Sequence, residues 1–142
     1  MPSSATLRFA SVLTHSDLGD MRKKHKWFLT FIYNIMKTKE AIEEFKKEIK
    51  KLYGNRLKHI ILYGSYARGS ATEDSDIDLL IVLEGKVKPG EEIDRMIEII
   101  TEINLRYNVL ISVYPISEED YKKVNSPLLI NVRREGIPAL ER

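Results

Sequence analysis

Two unbroken apolar runs, Lys58–Tyr63 (KHIILY) and Asp76–Leu83 (DIDLLIVL), constrain this chain more than any other feature. Short runs of Ile, Leu and Val bounded by turn residues read as strands buried on both faces, which puts them at the centre of a sheet. The first run closes on Gly64-Ser65, and ten residues later Asp76 and Asp78 head the second. A strand repeats every two residues, so both carboxylates point to one face, with α-carbons roughly 6.5–7 Å apart. Carboxylates at that separation can converge on a hard divalent cation. Gly64 allows close backbone approach and unusual dihedrals. Ser65 adds a hydroxyl, and a helix starting there would aim N–H groups at an anion. Arg68 lies near enough in sequence to contact a phosphate or a neighbouring acid. The combination implies Mg²⁺-assisted chemistry on a nucleoside triphosphate.

The flanking sequence supplies helices. Thr38 can cap a helix whose apolar positions are Ile42, Phe45, Ile49 and Leu52, with Gly54 as its C′ residue. Pro89-Gly90 introduces a second helix, with Glu91, Glu92 and Asp94 suiting its dipole. Its expected buried stripe is Ile93, Met96, Ile97, Ile100 and Ile103, with Met96 as core filler. Val109–Pro115 reads as a third strand and Ser117–Lys123 as a short helix. Ser126, Pro127 and Gly136 frame a last helix as N-cap, N1 and C′. His59 reads as a boundary residue, Glu73 and Asp74 as loop solvation, and Ser75 as a brace ahead of Asp76. Alternating helices and strands predict an α/β (α+β) domain with a small mixed sheet flanked by helices.

Residues 1–35 stand apart. A basic patch, Arg22–Lys26, precedes an apolar run, Trp27–Met36 (WFLTFIYNIM). The run is too short to span a bilayer and no small-residue cleavage pattern follows it. It reads either as a short helix packed on the domain or on a partner, or as sequence upstream of a natural start at Met36. The domain is therefore expected over 36–142, with 1–35 as an extension. The chain has no cysteine, so disulfides, zinc-thiolate sites and thiol catalysis are excluded. A net charge of +2 gives no nucleic-acid signal. A cytoplasmic location without a membrane partner is expected.

Leu62–Leu80 (LYGSYARGSATEDSDIDLL) resembles the signature of the minimal nucleotidyltransferases of the DNA polymerase β-like superfamily: Gly-Ser, about ten residues, then Asp-x-Asp. The likeness is strongest over this motif and extends weakly across Met36–Arg142. It implies a polymerase β-like fold and transfer of a nucleoside monophosphate, AMP from ATP, to a hydroxyl with release of pyrophosphate. By the same resemblance Gly64 and Ser65 bind the triphosphate, while Asp76 and Asp78 are catalytic and ligate Mg²⁺; Arg68, by its closeness in sequence, is expected to join them in binding the nucleotide. Stand-alone members of this size are similar to antitoxins encoded beside a HEPN-domain toxin, which they mask by binding or modify with AMP on a tyrosine. The family's third carboxylate sits on the next core strand. Here the matching position falls near Ser112, and the strand Val109–Pro115 contains no acid. The nearest downstream acids, Glu118, Glu119 and Asp120, are placed beyond its end, and Glu98 and Glu102 belong to the preceding helix. Two functions follow: a catalytic antitoxin that adenylylates its HEPN partner, or a non-catalytic one that neutralises it by binding.

Overall fold

The computed structural model describes residues 21–141. Helix α1 spans Met21–Tyr53, and strand β1 spans Leu57–Tyr63. A one-turn helix α2, Ser65–Arg68, leads through a loop to β2, Ile77–Leu83. Helix α3 (Pro89–Tyr107) is followed by β3 (Ile111–Ser117), α4 (Glu118–Lys123), α5 (Pro127–Glu135) and β4 (Ile137–Glu141). The sheet order is β3-β2-β1-β4, so the two apolar runs occupy the centre, as their composition demands. β1 is antiparallel to β2 and β4, and β2 is parallel to β3.

Burial on both faces explains why the central strands lack polar alternation. On one face Ile60, Leu62, Leu79 and Ile81 pack with Phe45 and Ile49 of α1 and Met96, Ile100 and Ile103 of α3. On the other, Ile61, Leu80, Val82 and Ile116 pack with Leu129 and Val132 of α5.

Several local expectations change. Thr38 is no N-cap: α1 runs through Met36 and Thr38 without a break, and Thr38 is buried in mid-helix. The Ser/Thr-rich stretch 1–20 lies outside the described residues. Tyr53 replaces Leu52 as the last buried position of α1, because four residues after Ile49 returns to the core face while three falls short of it. Ile97 is 48% exposed, so the α3 stripe is narrower than its Ile content suggests. Ser126 and Pro127 do open α5, the Ser126 Oγ accepting from the Leu129 N–H at 3.3 Å. Gly136 ends it in an extended conformation (φ −63°), not a left-handed turn. Its role is space: a Cβ there would stand 2.7 Å from Ile61 Cγ2 and collide with the Val132 carbonyl. β4, containing Pro138, was not anticipated; it pairs along the edge of the sheet, where proline is tolerated.

Glu92 also has a different role. It is 4% exposed and its carboxylate accepts from Tyr53 Oη at 2.7 Å and Arg56 Nη2 at 3.1 Å. Burial, then the bond to Glu92, holds the Tyr53 phenol protonated far above its usual range. Glu92→Ala would strand the Tyr53 hydroxyl, while Arg56 keeps the Glu84 and Lys86 carbonyls, and is expected to cost about 1–3 kcal/mol, read by urea unfolding. Glu92→Gln keeps an acceptor for Tyr53 and should lose clearly less.

Candidate active site

The motif residues meet where β1 ends and β2 begins. Gly64 adopts φ +75°, ψ −153°, a region essentially restricted to glycine. A Cβ at this position would lie 3.2 Å from Asp78 Cγ and overlap Oδ2, so the Gly-Ser turn is folded directly onto the Asp78 carboxylate. Ser65 then opens α2, closed by Arg68 N–H donating to the Gly64 carbonyl at 3.1 Å. Tyr66 anchors this turn in the core, its hydroxyl bonded to the Thr38 side chain of α1.

The intervening loop is braced locally. The Thr72 N–H donates to Ser75 Oγ at 2.9 Å, and the Ser75 N–H donates to the Thr72 carbonyl at 3.1 Å. This is the brace expected of Ser75. Glu73 is more than a solvated loop acid: it accepts from Asn34 Nδ2 at 3.1 Å, tying the loop to α1 upstream of Met36.

Strand register sets the carboxylates. Asp78 pairs with Tyr63 on β1 and with Ser112 on β3, so Tyr63, Asp78 and Ser112 form one row across three strands. Asp76 is exposed and lies one residue before β2. Burial raises the Asp78 pKa above the usual carboxylate value, the Asp76 charge raises it further, and Arg68 partly opposes both. Burial likewise raises the Tyr63 phenol, with Asp78 and Tyr114 adding to it. Tyr66 is raised mainly by burial; its bond to Thr38 opposes this and Asp76 adds to it. Arg68 is half exposed, with Nη1 3.9 Å from Glu135 Oε2 at the end of α5.

All five sequence-derived site residues, Gly64, Ser65, Arg68, Asp76 and Asp78, therefore belong to one locality. Sequence reasoning missed Tyr63, although its place immediately before Gly64 and opposite the Asp-x-Asp strand is a readable signal. It also missed Glu135, whose contact with Arg68 spans too much sequence to leave one.

Two paired hard-oxygen donors fit a divalent cation, because a bound charge would relieve the repulsion that Asp76 exerts on Asp78. No third ligand joins them: among the described residues there is no group of three or more His, Asp or Glu side chains able to hold a metal. Ser112 occupies the position beside Asp78. Glu118, Glu119 and Asp120 follow the far end of β3, about 16 Å or more along the strand from Ser112. Glu98 and Glu102 are exposed on α3.

Residues 42–135 match the sequence model of the nucleotidyltransferase domain. The chain is 45% identical over 102 residues to MJ0604 of Methanocaldococcus jannaschii, provisionally named a protein adenylyltransferase; the match covers 71% of this chain and 96% of that protein. A second protein of that organism with the same provisional name, MJ0141, is 41% identical over 73 residues, covering 51% of this chain and 73% of its own length. Among solved structures, a toxin–antitoxin crystallised with AMP-PNP superposes with a TM-score of 0.51 at 16% identity, over 70% of this chain and 73% of that one, a likeness of fold. With its mixed sheet, its Gly-Ser turn and its paired aspartates, this chain belongs to the nucleotidyltransferase domain family.

Proposed function

We propose that this chain transfers AMP from ATP to a hydroxyl of a protein partner, a HEPN-domain toxin, and thereby acts as its antitoxin. The observation that carries this reading is the packing of the Gly64 backbone against the Asp78 carboxylate, a glycine turn suited to phosphate set against an acid suited to a divalent cation. The name protein adenylyltransferase, attached to a relative matched over 96% of its length, supports a protein acceptor. The shared fold of a toxin–antitoxin solved with AMP-PNP supports the adenine nucleotide and the toxin context.

In this reading the Gly64-Ser65 turn seats the triphosphate and the Ser65 hydroxyl offers it a hydrogen bond. Arg68, on the outer side of α2, offsets phosphate charge. Asp76 and Asp78 would hold Mg²⁺, which when bound neutralises charge developing on the leaving pyrophosphate. The acceptor oxygen bonds to the α-phosphorus as the bond to pyrophosphate breaks. With serine at position 112, the acceptor's proton passes to a base of the partner or to water.

The test mixes the chain with Mg²⁺, ATP labelled at its α-phosphate and the product of the adjacent reading frame. Covalent label on that product, absent when Mg²⁺ is chelated, is expected. Ser112 favours a second reading, neutralisation by binding alone, in which the two proteins co-elute and no label transfers. Ser112→Asp separates the two further. It places a third carboxylate beside Asp78 and is expected to raise the transfer rate about tenfold without changing partner affinity. A rate that falls instead would assign the Ser112 hydroxyl a direct part in the site.

A further inference from the structure

We propose that the amino-terminal half of α1 lies on an anionic lipid surface, a property separate from the nucleotide site. This half precedes residue 42, where the match to the family begins. Its inward row, Phe31, Asn34, Ile35 and Thr38, faces the domain: Phe31, Asn34 and Ile35 line a small cavity with Tyr66 and the loop 71–73, and Thr38 is buried. Its outward rows are also apolar. Phe28, Ile32 and Met36 form one row at four-residue spacing and are 49%, 36% and 56% exposed. Leu29 and Tyr33 form the adjacent row at 55% and 65%. Lys26, Thr30 and Lys37 form the polar side of this half, and the exposed apolar rows beside them mark an interaction surface.

Charge identifies the cover. Between Met21 and Lys39 stand Arg22, Lys23, Lys24, Lys26, Lys37 and Lys39, and not one Asp or Glu. Lys24 and Lys26 are exposed at one end of the apolar rows and Lys39 at the other. Lys37 is tied back to the domain through the Asn108 carbonyl at 3.1 Å. Tyr33 and Met36 border a surface cavity with Arg106 and Tyr107 of α3, and a helix with large apolar side chains along its exposed rows and cations flanking them has the pattern of an interfacial helix on acidic lipids. A second copy aligned in parallel would set Lys24, Lys26 and Lys39 against their own counterparts. No described helix is long and apolar enough to cross a membrane, and lying in the interface requires no span.

Trp27 is the chain's single tryptophan and stacks on Phe31 at 5.0 Å within this segment, so its fluorescence reports directly. The full chain is mixed with phosphatidylcholine vesicles containing roughly 30% phosphatidylglycerol, and with pure phosphatidylcholine vesicles. A blue shift and co-sedimentation at least about tenfold stronger on the anionic vesicles, lost at high salt, are expected. Leu29→Asp/Tyr33→Asp and Lys24→Glu/Lys26→Glu should each abolish binding with unchanged circular dichroism. All four side chains are exposed, so the fold does not depend on them. Equal binding to neutral vesicles, or none to either, overturns the proposal. So does a shift that grows with protein concentration in the absence of lipid as the mass doubles, which assigns the face to a second copy. A shift produced only by an acidic partner protein assigns it to that protein and overturns the proposal too.

Discussion

Asp76→Asn/Asp78→Asn is expected to lower AMP transfer by about 10³-fold or more while leaving the apo protein as stable as the parent or slightly more so. The two effects have one cause. Asp78 is partly buried beside a like charge, and both conditions favour its neutral form in the folded state. Its folded pKa stands above the unfolded value, so the folded state holds the proton more tightly. The stability this contributes is fully present at low pH and is lost as pH rises from about 4 through the raised folded value. Above that range the Asp78 charge is therefore a local strain on the fold, and replacing the pair by amides removes that strain together with the metal site. Thermal unfolding across a pH series should show the acid-side advantage in the parent and a flatter profile in the double variant. Mg²⁺ should stabilise the parent and leave the variant unchanged. A variant that retains transfer would remove these aspartates from the chemistry.

Why these residues were readable and others were not follows from the range of the interactions involved. Gly64 and Ser65 follow β1 directly, Asp76 immediately precedes β2 and Asp78 lies within it, so the end of one strand and the head of the next place them without knowledge of the rest of the fold. The central position of β1 and β2 was equally local, because burial on both faces removes polar alternation from the strand itself. The resemblance puts the third-carboxylate position near Ser112 on the next core strand, and the parallel register sets Ser112 beside Asp78. The misses lie where tertiary contact overrides local pattern. Thr38 has the chemistry of a cap, but the apolar residues upstream continue the helix and its hydroxyl meets Tyr66 instead. Glu92 has the position of a dipole-stabilising acid, yet Tyr53 and Arg56, more than thirty residues earlier, draw it into the interior. β4 carries a proline within a five-residue strand, and only its pairing with β1 reveals it.

Gly64→Ala is expected to be nearly as damaging to transfer as loss of the aspartates, and unlike them to destabilise the protein, by about 2–3 kcal/mol. The backbone at Gly64 combines a positive φ with an extended ψ, which an alanine cannot adopt without strain. The added methyl would also occupy the space of Asp78 Oδ2, so relief requires either the turn or the carboxylate to move. Either movement separates the two halves of the site. Gly54→Ala is the control: its φ of +55° is also positive, but nothing lies within 4 Å of the new methyl group. That variant should lose about 1 kcal/mol and keep full transfer. Backbone strain is common to both substitutions, whereas contact with Asp78 belongs to Gly64 alone. The comparison therefore reads the contact: MgATP affinity should collapse in Gly64→Ala and persist in Gly54→Ala. Equal affinity in the two variants would mean that the Gly-Ser turn is not where the triphosphate sits.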